Sequence, residues 1–228
     1  MTQSHPTSDL TLIFDLDGTL VDTAPDILTA LNHSLEEVLA EPIKLGQVRD
    51  MVGFGSAVLI RDALEYLGVP FDQKDEDRLR DKFIAFYVEN VANSSALFPG
   101  VDTLLSRHKE AGTRLGVCTN KLHEPSVKLL KALDAHDHFH TIVGRDTFAY
   151  QKPDPRTLLD TIRQAGGTPE RTVYLGDSIT DVKTAKAANI PCVLVSFGYT
   201  NQPVESLGGD VVIDHFDELD SVVEQLLG

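Results

Sequence analysis

LTLIFDLDGTLVDTAPD, residues 10–26, opens with an apolar run from Leu10 to Phe14 that only Thr11 interrupts. A short run of this kind, ended by acidic residues and a glycine, predicts a strand buried on both faces that stops in a tight loop. Asp15 and Asp17 stand where the strand gives out, and Gly18 lets the backbone turn. In open α/β sheets, ligands bind beyond the carboxyl ends of the parallel strands. Two carboxylates two residues apart repel each other, and desolvation adds to the cost of holding them there. A divalent cation or a shared proton relieves both. Thr19 can cap the next segment or bond an anion. Read alone, the stretch is also compatible with an acidic surface turn. It does not fit a calcium-binding EF-hand loop, which needs a third oxygen ligand before its glycine and a Glu at position twelve.

The chain of 228 residues is long enough for one large domain or a core with an insert. Its net charge is −15, from 20 Lys and Arg against 35 Asp and Glu. That balance argues against a nucleic-acid partner, which needs a basic footprint, and against an anionic membrane surface. A locally positive site for a small anion remains compatible with it. Cys118 and Cys192 each lie in or beside an apolar run and read as buried free thiols. The first nine residues carry no apolar signal core, and no run reaches membrane-spanning length. The expected location is the cytoplasm.

After the first strand, helical spacing predicts helices over 25–39, 57–67 and 76–91, with a glycine break at Val52-Gly53-Phe54-Gly55-Ser56. No strand pattern is visible between about Asp22 and Leu97. From Phe98-Pro99-Gly100-Val101 onward the pattern alternates. A helix runs to about 111, followed by strand 114–118, helix 125–133, strand 141–143, helix 155–164, strand 172–175, helix 181–188 and strands 192–195 and 211–213. Alternation of this kind predicts a parallel sheet with helices on both faces. The fold expected is α/β, a Rossmann-like parallel sheet core (residues 1–21 and 98–228) with an inserted helical cap domain (residues 22–97).

Three more strand ends carry polar residues. Strand 114–118 runs into Thr119-Asn120-Lys121, where a hydroxyl and backbone N–H groups can meet an anion or cap the next helix. Lys152 sits in Gln151-Lys152-Pro153-Asp154-Pro155, whose prolines restrict its backbone; alone, it also reads as a surface lysine in a proline-rich loop. Strand 172–175 leads to Gly176-Asp177-Ser178 and then Asp181, which alone reads equally as a capped helix start. Together these place carboxylates, a hydroxyl and a lysine on one sheet edge. Hard oxygen ligands suit Mg²⁺, and a lysine with Mg²⁺ suits a phosphoryl group. Arg49 and Arg61 in the cap are candidates to meet a substrate carboxylate. His136, His138 and His140 alternate but fall away from that edge and read as a solvated connection.

Asp15-Leu16-Asp17-Gly18-Thr19, Thr119-Asn120, Lys152-Pro153 and Gly176-Asp177-Ser178 with Asp181 resemble, in order and spacing, the four motifs of the haloacid dehalogenase superfamily of phosphohydrolases. Asp22-Thr23-Ala24-Pro25-Asp26, the glycine break, Phe98-Pro99-Gly100-Val101 and Lys152-Pro153-Asp154-Pro155 look most like its phosphoglycolate phosphatase branch. They are shared in part with relatives acting on pyrophosphate, sugar phosphates and nucleotides. The resemblance implies that Asp15 attacks phosphorus and forms an aspartyl-phosphate, and that Asp17 acts as acid and then base. Thr119 and Asn120 would bind phosphoryl oxygens, and Lys152 would neutralise charge. Asp15, Asp17 (through its backbone carbonyl), Asp177 and Asp181 would hold Mg²⁺, with Asp181 acting through water or by orienting a ligand. The substrate implied is a small anionic phosphate ester, foremost 2-phosphoglycolate. A β-phosphoglucomutase-like phosphomutase is the alternative with the same intermediate. A dehalogenase fits less well, because such enzymes usually lack the acid at the position of Asp17. Monomer and homodimer are left undecided.

Overall fold

The structure is a computed structural model that describes residues 9–49, 51–53, 55–200 and 202–228. Phe54 of the glycine break and residues 1–8 of the N-terminal stretch lie outside them. Six parallel strands form the sheet: β1 (Thr11–Phe14), β4 (Arg114–Cys118), β5 (Thr141–Val143), β6 (Thr172–Gly176), β7 (Cys192–Val195) and β8 (Val211–Ile213). Their order is β5-β4-β1-β6-β7-β8, so β1 is central and pairs with β4 on one side and β6 on the other. Crossovers run out from β1 in both directions, which makes its carboxyl end the switch point of the sheet.

Alternation along β1 divides the core. Leu12 and Phe14 join a cluster that includes Val101, Leu104 and Leu105 of α5 (Val101–Glu110), Leu129 and Leu130 of α6 (His123–Ala132), and Leu219, Val222 and Val223 of α9 (Leu219–Leu227). Ile13 points to the other face, with Leu158 and Ile162 of α7 (Pro155–Gln164) and Val182 and Ala185 of α8 (Ile179–Ala188). All three β1 residues are fully buried. Each contributes about 1.5–3 kcal/mol relative to exposure, so the strand that carries Asp15 is among the most firmly held parts of the molecule.

The chain leaves the sheet through β2 (Val21–Asp22) and returns through β3 (Ala96–Leu97), which pair antiparallel. Between them lie α1 (Ala24–Leu35), α2 (Leu45–Arg49), α3 (Ser56–Leu67) and α4 (Gln73–Glu89), the inserted helical cap. α4 packs on α1 and α3, and α2 packs on α1. α4 begins three residues before the expected start because Asp72 caps it, accepting from the N–H groups of Lys74 and Asp75 at 2.8 and 3.0 Å. α1 ends at Leu35 rather than residue 39, tightening into a turn in which the Val38 N–H donates to the Leu35 carbonyl at 2.8 Å. The sequence pattern does not predict β2, β3, α2 or α9. The first three are too short to show a period.

Asp26 ties the two ends of the insertion together. Buried in the first turn of α1, it accepts from the Ser94 and Ser95 N–H groups at 2.8–3.0 Å and from the Ser95 hydroxyl at 2.6 Å. Asp26→Ala leaves those three donors without an acceptor. It is expected to destabilise the protein by about 2–3 kcal/mol, read from the urea midpoint. A loss below about 0.5 kcal/mol, the range of an ordinary surface change, would show that the donors find other partners.

Candidate active site

Asp15 extends β1 past its last paired residue. Its N–H donates to the Leu175 carbonyl at 2.8 Å, which fixes the backbone against β6 and leaves the residue 5% exposed. Lys152, from the loop between β5 and α7, is equally buried and reaches across the sheet edge. Its Nζ donates to Asp15 at 2.8 Å, to Asp181 at 2.7 Å and to the Tyr174 hydroxyl at 3.0 Å. Tyr174 in turn donates to Asp181 at 2.7 Å.

Asp177 and Asp181 follow β6 and open α8. Asp181 occupies the third position of a capping box with Ser178. One of its oxygens accepts from the N–H groups of Asp177 and Ser178 and from the Ser178 hydroxyl; the other accepts from Lys152 and Tyr174. Asp177 accepts from the Tyr199 N–H at 2.6 Å. Glycines crowd it closely. A Cβ at Gly18, where φ is +83°, would lie 2.3 Å from an Asp177 carboxylate oxygen, and one at Gly198 would lie 2.2 Å from the Asp177 Cβ. Neither position can carry a side chain without displacing this carboxylate.

Asp15, Asp177 and Asp181 bring ligand atoms within 4.8 Å of one another, all buried. Three carboxylates against one ammonium leave an excess of two negative charges when all are ionised. The protonation behaviour records that excess. Burial, with Asp181 adding to it, pushes the Asp15 carboxyl up to about 6 despite Lys152. Burial and the charges of Asp181 and Asp15 push Asp177 well above the ordinary carboxylate range. Burial also opposes ionisation of Asp181, but Lys152 and the hydrogen bonds it receives outweigh that and hold it low. An all-oxygen donor set short of two positive charges fits a hard divalent cation such as Mg²⁺. Among the described residues this is the only group of His, Cys, Asp and Glu close enough to share an ion. His136 pairs with Asp137, and His140 accepts from the Leu115 N–H.

The Asp17 carboxylate lies outside that cluster. It takes the Lys121 ammonium at 3.0 and 3.2 Å, and Lys121 also donates to the Tyr87 hydroxyl of α4 at 2.6 Å. Asp15 and Asp17 line a cleft whose floor carries Thr119, Asn120 and Lys121 and whose cap side carries Met51, Gly53, Leu59, Phe83 and Tyr87. Thr119 is held by its N–H bond to the Val143 carbonyl at 3.0 Å, and Asn120 by its side-chain bond to the Lys152 carbonyl at 3.3 Å.

The family model for haloacid dehalogenase-like hydrolases matches residues 12–195. The chain belongs to the haloacid dehalogenase-like hydrolases. It is 45% identical over 208 residues to a phosphoglycolate phosphatase of Mesorhizobium japonicum, covering 91% of this chain and 92% of that one. To a phosphoglycolate phosphatase of Caulobacter vibrioides it is 43% identical over 216 residues, covering 95% and 91%. A crystal structure of a predicted phosphoglycolate phosphatase from Haemophilus somnus superposes with a TM-score of 0.86 at 26% identity, covering 94% of this chain and 98% of the other.

This haloacid dehalogenase-like hydrolase does not bring every candidate residue to the cleft. Asp15, Asp17, Thr119 and Asn120 line it, with Lys152, Asp177 and Asp181 bonded behind Asp15 or gathered beside it. Arg49 and Arg61 are not among the lining residues. Arg49 pairs with Asp22 at 3.0 Å where the chain enters the cap, and its guanidinium lies over the Tyr199 ring. Arg61 forks onto Glu76 at 2.9 and 3.1 Å, joining α3 to α4. Each arginine has an acidic partner close at hand, which sequence spacing across a helical insertion does not reveal.

The sequence alone does not single out Lys121, Tyr174, Tyr199 or Arg145 as parts of the site. Lys121 adjoins Thr119-Asn120, and a charge directly after a buried strand was the available signal. Tyr174 shows as a hydroxyl in the middle of a mostly apolar strand. Tyr199 and Arg145 carry no local signal, because only the fold brings the one to Asp177 and the other to the cleft.

Proposed function

We propose that this hydrolase releases phosphate from 2-phosphoglycolate, leaving glycolate, through an aspartyl-phosphate on Asp15, and that residues 22–97 serve as its cap. The observation that carries the reading is a buried carboxylate at the end of the central strand, held by Lys152 and facing the cleft. In the first step an Asp15 oxygen attacks phosphorus and the bond to the glycolate oxygen breaks, with Asp17 supplying the proton. In the second, Asp17 takes a proton from the water that attacks the aspartyl-phosphate, releasing phosphate and restoring Asp15. Thr119 and Asn120 hold phosphoryl oxygens, while Lys152 offsets charge as nucleophile and phosphate approach. Mg²⁺, held by Asp15, Asp177 and the Asp17 backbone carbonyl, with Asp181 orienting, would neutralise phosphoryl charge. The cap closes over the cleft and excludes water until the alcohol leaves.

The relatives named as phosphoglycolate phosphatases support this choice of ester. The free, buried Cys118 and Cys192 suit the reducing cytoplasm proposed for it. Among the described residues no helix is long and apolar enough to cross a membrane. The test is phosphate release with Mg²⁺ from 2-phosphoglycolate, pyrophosphate, a hexose phosphate, a nucleoside monophosphate and p-nitrophenyl phosphate. A kcat/KM preference of about a hundredfold for 2-phosphoglycolate, about 2.7 kcal/mol of transition-state discrimination, is expected. A flat profile would keep the chemistry and discard the ester.

A further inference from the structure

The cations around the cleft differ in their commitments. Lys152 is bound to Asp15 and Asp181, and Lys121 to Asp17 and Tyr87. Arg145 lines the same cleft and is half-buried, yet its guanidinium has no carboxylate or carbonyl partner among the described residues. It lies two residues beyond β5. Its N–H donates to the Lys121 carbonyl at 2.8 Å, so the loops after β4 and β5 run side by side and carry both cations to one wall.

The cap leaves room for it. A Cβ at Gly55 would lie 2.7 Å from the Arg145 Nη1, so this glycine, with φ at +90°, lets the guanidinium pass the start of α3. Much of the surrounding wall is apolar, including Met51, Val52, Leu59 and Phe83. A guanidinium kept partly from water, with no counter-ion among the described residues, favours an anion that fills both its donor directions. The phosphoryl group already has its receptors at Asp15, Thr119 and Lys152. The negative group left over on the substrate is the carboxylate.

Resting on the carboxylated-ester reading above, we propose that Arg145 binds the substrate's carboxylate and so selects such esters over those without one. Arg49 and Arg61 do not compete for that role, being held by Asp22 and Glu76. The planar fork of an arginine matches two carboxylate oxygens, which a lysine cannot do.

The test uses the full chain with Mg²⁺ and two stable phosphonates. 3-Phosphonopropionate keeps the carboxylate, and propylphosphonate lacks it. The wild type is expected to bind the first about thirtyfold more tightly by calorimetric titration. Arg145→Gln is expected to bring the two within about threefold, and Arg145→Lys to retain part of the difference. A variant R145Q that keeps the wild-type preference overturns the proposal, as does a wild type that shows none. The ester panel separates the two readings. Preferred turnover of 2-phosphoglycolate with an unchanged preference in R145Q leaves the substrate standing and removes Arg145. A preference lost in R145Q alongside faster turnover of another acidic ester keeps Arg145 and removes 2-phosphoglycolate.

Discussion

Asp15→Asn is expected to lower phosphate release by about 10⁴-fold or more while the fold persists. The amide oxygen is a poor nucleophile, and with no covalent step Thr119, Lys152 and any bound cation have no attacking group to support. The substitution keeps the shape of the side chain, and Lys152 retains Asp181 and Tyr174 as partners. Stability should move the other way. The Asp15 carboxyl is raised to about 6 in the folded protein, above its ordinary 3.8, chiefly by burial. A carboxyl raised on folding favours the native state when protonated. The metal-free wild type therefore loses stability as pH climbs from about 4 to 6 and stays lower beyond it. Asn has no such charge, so metal-free D15N should match the wild type near pH 4 and exceed it at pH 8 in thermal midpoint. Residual turnover near wild type would remove Asp15 from the mechanism. A midpoint that falls at pH 8 would show instead that the Asp15–Lys152 pair outweighs the burial.

Much of this site is legible because its parts follow strands that announce themselves. Residues 114–118, 141–143, 192–195 and 211–213 form strands with the bounds the apolar runs indicate. β7 is buried throughout, and a strand buried on both faces has no polar positions to blur its ends. Once parallel strands alternate with helices, their carboxyl ends share one edge, and Asp15, Thr119 and Asp177 must gather there. Asp181 is legible for a second reason, since a Ser followed three residues later by an acid marks a capped helix start. The cap behaves differently. Its helices show their period, but which face meets the cleft depends on tertiary packing, and a charge on such a helix fits a substrate or a neighbouring acid equally well. Arg61 finds Glu76 in this way, and Arg49 finds Asp22. Arg145 presents the opposite case. It sits in a loop with nothing to mark it, and only the bond between the loops after β4 and β5 brings it to the cleft.

Asp177→Asn is expected to weaken Mg²⁺ about a hundredfold or more in the metal titration of activity. The reason lies in how the site divides its carboxylates. Asp181 spends both oxygens on five donors from Asp177, Ser178, Lys152 and Tyr174, so it orients more than it offers. Asp177 receives far less, chiefly the Tyr199 N–H and a longer contact from Thr19 at 3.4 Å. Its ionised form is thus the least compensated charge in the cluster, and burial followed by the charges of Asp181 and Asp15 raises its carboxyl well above the usual range. The sign follows as for Asp15. Without metal, the wild type loses stability as pH rises above the ordinary carboxylate range, and D177N lacks that loss. The two thermal midpoints should coincide near pH 4 and separate at pH 8, with D177N the higher. Saturating Mg²⁺ should raise the wild-type midpoint at pH 8 and move D177N little, because an ion stabilises only the state that binds it. Asn suits the test better than a larger residue, since Gly18 and Gly198 leave no room around this side chain. An unchanged Mg²⁺ titration would take Asp177 out of the metal site. A metal-free D177N less stable than the wild type at pH 8 would mean that the acceptor for Tyr199, and not the stored charge, is what the fold requires at this position.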